Sequence, residues 1–126
     1  MSINLSAITA FLDKTLSVDS IPDASRALNG LQLENEGAVS KIAVAVDGSE
    51  KTIHAALDLG ADLLILHHGI FWQDMQPVTG ISYRKLKAAM DGNLAIYSVH
   101  IPLDVHPVYG LSLIHISEPT RQAEIS

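Results

Sequence analysis

The sequence contains no cysteine at all. That excludes a disulfide scaffold, thiolate zinc sites, cysteine nucleophiles and iron–sulfur clusters, so any transition metal here must be held by histidine and carboxylate. Charge is also scarce: 17% of residues are Asp, Glu, Lys or Arg, against roughly 25% in an average globular chain. Basic residues are the scarcer sign, with 8 Lys and Arg against 14 Asp and Glu and a formal charge of −6. No basic stripe is available to neutralise phosphates, which argues against a nucleic-acid partner. Long apolar runs are missing as well. The most apolar stretch, Ala61 to Leu66, contains Asp62 and is far too short to cross a bilayer. The amino terminus lacks a basic n-region and carries Asp13 within its apolar part, so it does not read as a signal peptide. A cytoplasmic protein with no membrane partner is the expectation. Phosphate-cradling motifs are absent, since neither GxGxxG nor GxxxxGK spacing occurs.

What is present is core material. Apolar residues make up 48% of the 126 positions, enough for one domain. Leu5, Ile8, Leu12 and Leu16 recur at helical spacing, predicting an amphipathic helix over residues 4–16. Residues 20–28 suit a short second helix with Pro22 in its first turn. Asn29-Gly30 then forces a turn before an alternating strand, Leu31 to Glu34.

The middle of the chain is more regular. Ile42 to Val46 is a β-branched and alanine run of the kind covered on both faces. Ser49 can cap a helix from Glu50 to Leu59, with Gly60 at its end, and a second buried strand, Leu63 to Leu66, follows at once. That succession is a βαβ unit. A further helix over 82–90 and a third buried strand, Leu94 to Val99, complete the pattern. The expected fold is α/β, a mostly parallel or mixed sheet with βαβ crossovers and helices on both faces.

Two buried strands run into histidines. The first leads to His67-His68-Gly69, and the other to His100-Ile101-Pro102-Leu103-Asp104-Val105-His106. Ligand sites in open parallel sheets form beyond the carboxyl ends of strands, so the two clusters are expected to meet in space. Adjacent side chains of a regular strand point to opposite faces, so His67 and His68 can share an opening only at a strand end, with Gly69 free to adopt positive φ. Pro102 makes the second segment an extended loop that carries His100, Asp104 and His106 past the sheet. Imidazoles and a carboxylate suit zinc, iron, manganese or nickel, and three protein ligands leave a coordination position for water. Asp104 is the natural anionic ligand, while His100 and His106 suit a ligand, an orienting group or a proton shuttle. Asp47 either reaches the same opening or only forms the turn beside Gly48. His54 and His115 read as ordinary surface or core residues. Phe71-Trp72 suits packing at a core or subunit interface, or stacking on a ring-shaped ligand.

Asn29-Gly30-Leu31-Gln32, the strand ending in Asp47, His67-His68-Gly69-Ile70-Phe71-Trp72 and His100-Ile101-Pro102-Leu103-Asp104 together resemble the Nif-three-like dinuclear metal-centre family. Its members are labelled GTP cyclohydrolase 1 type 2 homologues. The resemblance covers residues 3 to 110 and implies an α/β fold with two divalent metal ions per complete subunit, zinc, iron or manganese, and toroidal homo-hexamers. By motif, His67, His68 and Asp104 take metal-ligand positions and His100 falls at a position near the metals. For a hydrolase, His100 is the expected catalytic residue that passes protons. The family's remaining ligands, a histidine and a glutamate one helical turn apart near the end of a much longer chain, have no counterpart here.

The resemblance implies a dinuclear-metal hydrolase with a small-molecule substrate, ring-opening hydrolysis of GTP being the family label. A non-catalytic metal-stabilised scaffold or regulator and a metal-dependent phosphoesterase are the alternatives. Residues 1–110 then form the amino-terminal half of a metal-binding domain, and residues 111–126 are expected to be a non-native tail. A fragment of this kind is expected to be inactive.

Overall fold

A computed structural model describes residues 2–18, 28–71 and 76–100, together with the backbone of 120–124. The expected helix over 20–28 therefore lies almost wholly outside the described residues, as do Trp72, Asp104, His106 and His115. Chain order is β1 (Ile3–Asn4), α1 (Leu5–Thr15), β2 (Gly30–Leu33), β3 (Ala38–Val39), β4 (Lys41–Asp47), α2 (Glu50–Asp58), β5 (Leu63–His68), α3 (Ile81–Asp91), β6 (Ala95–Ser98) and β7 (Thr120–Glu124).

The main sheet has the order β2-β6-β5-β4-β7. Its centre is parallel: β4 pairs with β5, Ile42 opposite Leu63, and β5 pairs with β6, Leu63 opposite Ala95. Both outer strands run antiparallel to their neighbours, β2 beside β6 and β7 beside β4. The sheet is thus mixed, with α2 and α3 as the connections between its parallel strands. β1 and β3 form a separate two-stranded ribbon.

Strand alternation sorts the core into two faces. Leu64, Leu66, Ile96 and Ala43 pack with Ile53 and Ala56 of α2 and Ala89 of α3. Leu63, Ala95, Tyr97 and Val99 pack on the other side with Leu5 and Leu16, backed by Ile8 and Leu12 of α1. Helices therefore cover both faces. Burying each such Leu or Ile stabilises the fold by about 1.5–3 kcal/mol, so the two layers fix the register of the central strands.

Local chemistry sets the helix ends. The Asn4 side chain accepts from Ser6 N–H at 2.9 Å, capping α1, and Ser49 Oγ accepts from Thr52 N–H at 3.1 Å, capping α2. Gly60 ends α2 at φ 75°, a left-handed conformation that suits glycine. Across the helix pair, Arg84 Nε lies 3.2 Å from Glu50 Oε2. Among the described residues, no helix is long and apolar enough to cross a membrane.

Candidate metal centre

Parallel pairing brings the carboxyl ends of β5 and β6 side by side. β5 continues through His68, and Val99 N–H donates to Leu66 O at 2.9 Å, so the chain leaving β6 stays beside it as it reaches His100. The His67 ring centroid lies 4.6 Å from that of His68 and 4.6 Å from that of His100, with His68 and His100 5.3 Å apart. One ligand nitrogen from each of the three rings falls within 4.8 Å of the others. Histidines 33 positions apart in the sequence thus share one rim of the sheet.

The rings differ in how they are held. His67 is buried, 9% exposed, on the face that Leu63 and Ile65 begin. The His68 side chain is 46% exposed, and its Nδ1 stands 2.7 Å from Asp47 Oδ1. His100 donates its backbone N–H to Asn29 Oδ1 at 2.7 Å. Asp47 therefore reaches the opening, the first of the two readings open to it.

Gly69 behaves differently from the sequence expectation. The glycines at positive φ among the described residues are Gly30, Gly37, Gly60 and Gly80, so Gly69 does not turn the rings through a left-handed conformation. Its lack of a side chain serves close approach instead. A Cβ at this position would collide with Gln32 Oε1 and lie 2.5 Å from Ser98 Oγ and 2.6 Å from Ser98 Cβ. The chain after His68 can press against β6 and β2 only because residue 69 carries no Cβ.

That close approach exposes a role for Gln32 that the sequence reading missed. Its Oε1 accepts from the N–H groups of Ile70 at 2.9 Å and Phe71 at 3.2 Å. Its Nε2 donates to Leu28 O at 2.8 Å and Phe71 O at 2.9 Å. The Asn29-Gly30-Leu31-Gln32 segment thus holds both histidine loops, His100 through Asn29 and the Gly69 turn through Gln32. The available signal was an amide side chain set between Leu31 and Leu33 in a short strand, where an apolar residue would pack more simply. Of the other sequence candidates, His54 sits on the exposed side of α2, 3.8 Å from Glu50.

The donor set fits a divalent cation. Zinc–nitrogen bonds of about 2.0–2.1 Å put two tetrahedral ligand nitrogens about 3.4 Å apart. The three ligand nitrogens, all within 4.8 Å of one another, lie near that spacing. Neutral imidazole is also the commonest protein ligand for such ions.

Fold and site together describe an α/β protein with a histidine cluster at the carboxyl rim of its parallel strands. The sequence profile of Duf34/NIF3 (NGG1p interacting factor 3) matches residues 3–117, and the chain belongs to that family. It is 51% identical over 85 residues to a GTP cyclohydrolase 1 type 2 homolog of Treponema pallidum, covering 67% of this chain and 30% of the relative. A GTP cyclohydrolase 1 type 2 homolog of Pyrococcus abyssi is 47% identical over 103 residues, covering 82% of this chain and 40% of the relative. The crystal structure of TTHA1606 from Thermus thermophilus superposes with a TM-score of 0.82 at 35% identity, over 86% of this chain and 44% of that one. The chain spans less than half the length of these relatives.

Proposed function

We propose that His67, His68 and His100 belong to a divalent-metal site and that the complete protein of this type is a metal-dependent hydrolase acting on a small molecule. The observation that carries the reading is the meeting of three imidazoles within 4.8 Å at the ends of two parallel strands. His67, at the buried side, and His68, at the open side, are assigned as ligands. Asp104, outside the described residues, is assigned by its motif as the anionic ligand that offsets cation charge. His100 stands close enough to both rings either to complete the ligand set or to carry protons to and from a substrate. A divalent cation held here would supply Lewis acidity for hydrolysis.

The motif resemblance extends the proposal to two cations per complete subunit and a homo-hexameric assembly. The names of the relatives support ring-opening hydrolysis of GTP as the reaction to test first. In that reaction the imidazole ring of the purine is cleaved and formate leaves. The chain's acidic balance gives a polyanionic nucleotide no attraction apart from that of bound cations, so substrate binding should depend on the metal.

Cobalt(II) titration of this chain tests the site. Visible ligand-field bands should appear on binding and be lost in His67→Ala and His68→Ala. No bands, together with no stabilisation by zinc, would remove the metal assignment. Formate release from GTP by a full-length relative tests the substrate separately. The absence of turnover with zinc, iron or manganese would discard GTP while leaving the metal site standing.

A further inference from the structure

His68 is the ring of the trio least fixed by packing. His67 is immobilised by burial, and the backbone of His100 is tied to Asn29. With its side chain 46% exposed, His68 needs a tether if its free nitrogen is to stay aimed at a cation.

The end of β4 provides one. Asp47 and His68 are register partners across the parallel β4–β5 pair. Gly48 N–H donates to His68 O at 3.0 Å, which fastens the turn after β4 to the end of β5. Glycine suits residue 48, because a Cβ there would lie 2.8 Å from Leu66 Cδ1 and 2.9 Å from Ile70 Cγ2 and would displace those methyls. With the backbone so fixed, the Asp47 carboxylate is brought to His68 Nδ1 at 2.7 Å, a charge-assisted separation.

We infer that Asp47 is a positioning residue: its carboxylate holds the proton of His68 on Nδ1 and so leaves Nε2 as the nitrogen offered to a cation. The inference rests on the proposed metal site. An ionised carboxylate can only accept, so Nδ1 must be the donor and the lone pair must sit on Nε2. Carboxylates that orient metal-binding histidines in this way typically contribute 10–100-fold to affinity. Asp47 is 70% exposed, so the same pair adds little to folding stability. Orientation and stability are therefore separable here.

The test compares wild type, Asp47→Ala and Asp47→Asn. Imidazole nitrogen NMR of the metal-free protein, recorded above neutral pH, reads the tautomer, and zinc titration reads affinity. Wild-type His68 should show the Nδ1–H form. Asp47→Ala should move it toward the Nε2–H form that free histidine prefers and weaken zinc binding by roughly 10–100-fold. Asp47→Asn still offers an acceptor oxygen without the charge, so it should keep the tautomer and lose less than about tenfold in affinity. An unchanged tautomer in Asp47→Ala, or undiminished zinc affinity, overturns the inference. Wild type that binds no zinc overturns the metal proposal instead, and the NMR result still decides whether Asp47 orients the ring.

Discussion

Replacing Gln32 by alanine removes four hydrogen bonds with one substitution, three of them part-buried links to Ile70 and Phe71. At a net of about 1 kcal/mol for each neutral bond, the part-buried three are worth about 3 kcal/mol, and water replaces the exposed bond to Leu28. Freeing the ordered glutamine side chain returns about 1 to 1.5 kcal/mol. The expected net loss is about 1.5–2 kcal/mol, which in a domain of this size lowers the melting midpoint by roughly 6–8 °C. Gln32→Glu keeps the acceptor for two N–H groups but loses both donors, so it should fall between wild type and Gln32→Ala. Urea denaturation followed by circular dichroism measures both variants. A Gln32→Ala variant that unfolds within about 0.5 kcal/mol of wild type, the usual range for an unconnected surface change, would show that these bonds do not hold the turn.

Gly69→Ala should be more damaging than an ordinary surface substitution, because its Cβ meets Gln32 and Ser98 side chains that are themselves packed. Loss of cobalt bands together with a lowered melting midpoint would show it. Tyr97→Phe removes the hydroxyl that donates to Asp13 Oδ1 at 2.6 Å and should cost about 1–2 kcal/mol by urea denaturation, loosening α1 from the sheet. Zinc at a hundredfold excess over its dissociation constant should stabilise the chain by about 2.7 kcal/mol, and a chelator should reverse the gain in a thermal melt.

Much of the architecture was legible because its signals are local. The apolar runs at 42–46, 63–66 and 94–99 became β4, β5 and β6, and the Ser49 and Gly60 boundaries of α2 appear where capping chemistry puts them. The convergence of His67, His68 and His100 followed from one topological rule, that neighbouring parallel strands end at the same rim. Long-range features left weaker traces. The β1–β3 ribbon rests on two residues from each strand, too few for a periodicity to show. Nothing local predicts a strand at 120–124, where β7 pairs with β4, because polar residues fill that stretch. The part played by Gln32 depends on backbone groups 38 and 39 residues away, which no local pattern encodes. Gly69 departs from its expected positive φ because glycine offers two kinds of freedom, torsional and steric, and a sequence does not say which is used.

Asn29 lies just before the outer strand β2 and Gln32 lies within it, yet their grips land on separate loops. Detachment of β2 from β6 would release both grips in one event. The backbone amides of Ile70, Phe71 and His100 should then exchange with deuterated solvent as one cooperative unit, despite their separation along the chain. The order of the rim would then follow how often one short outer strand opens.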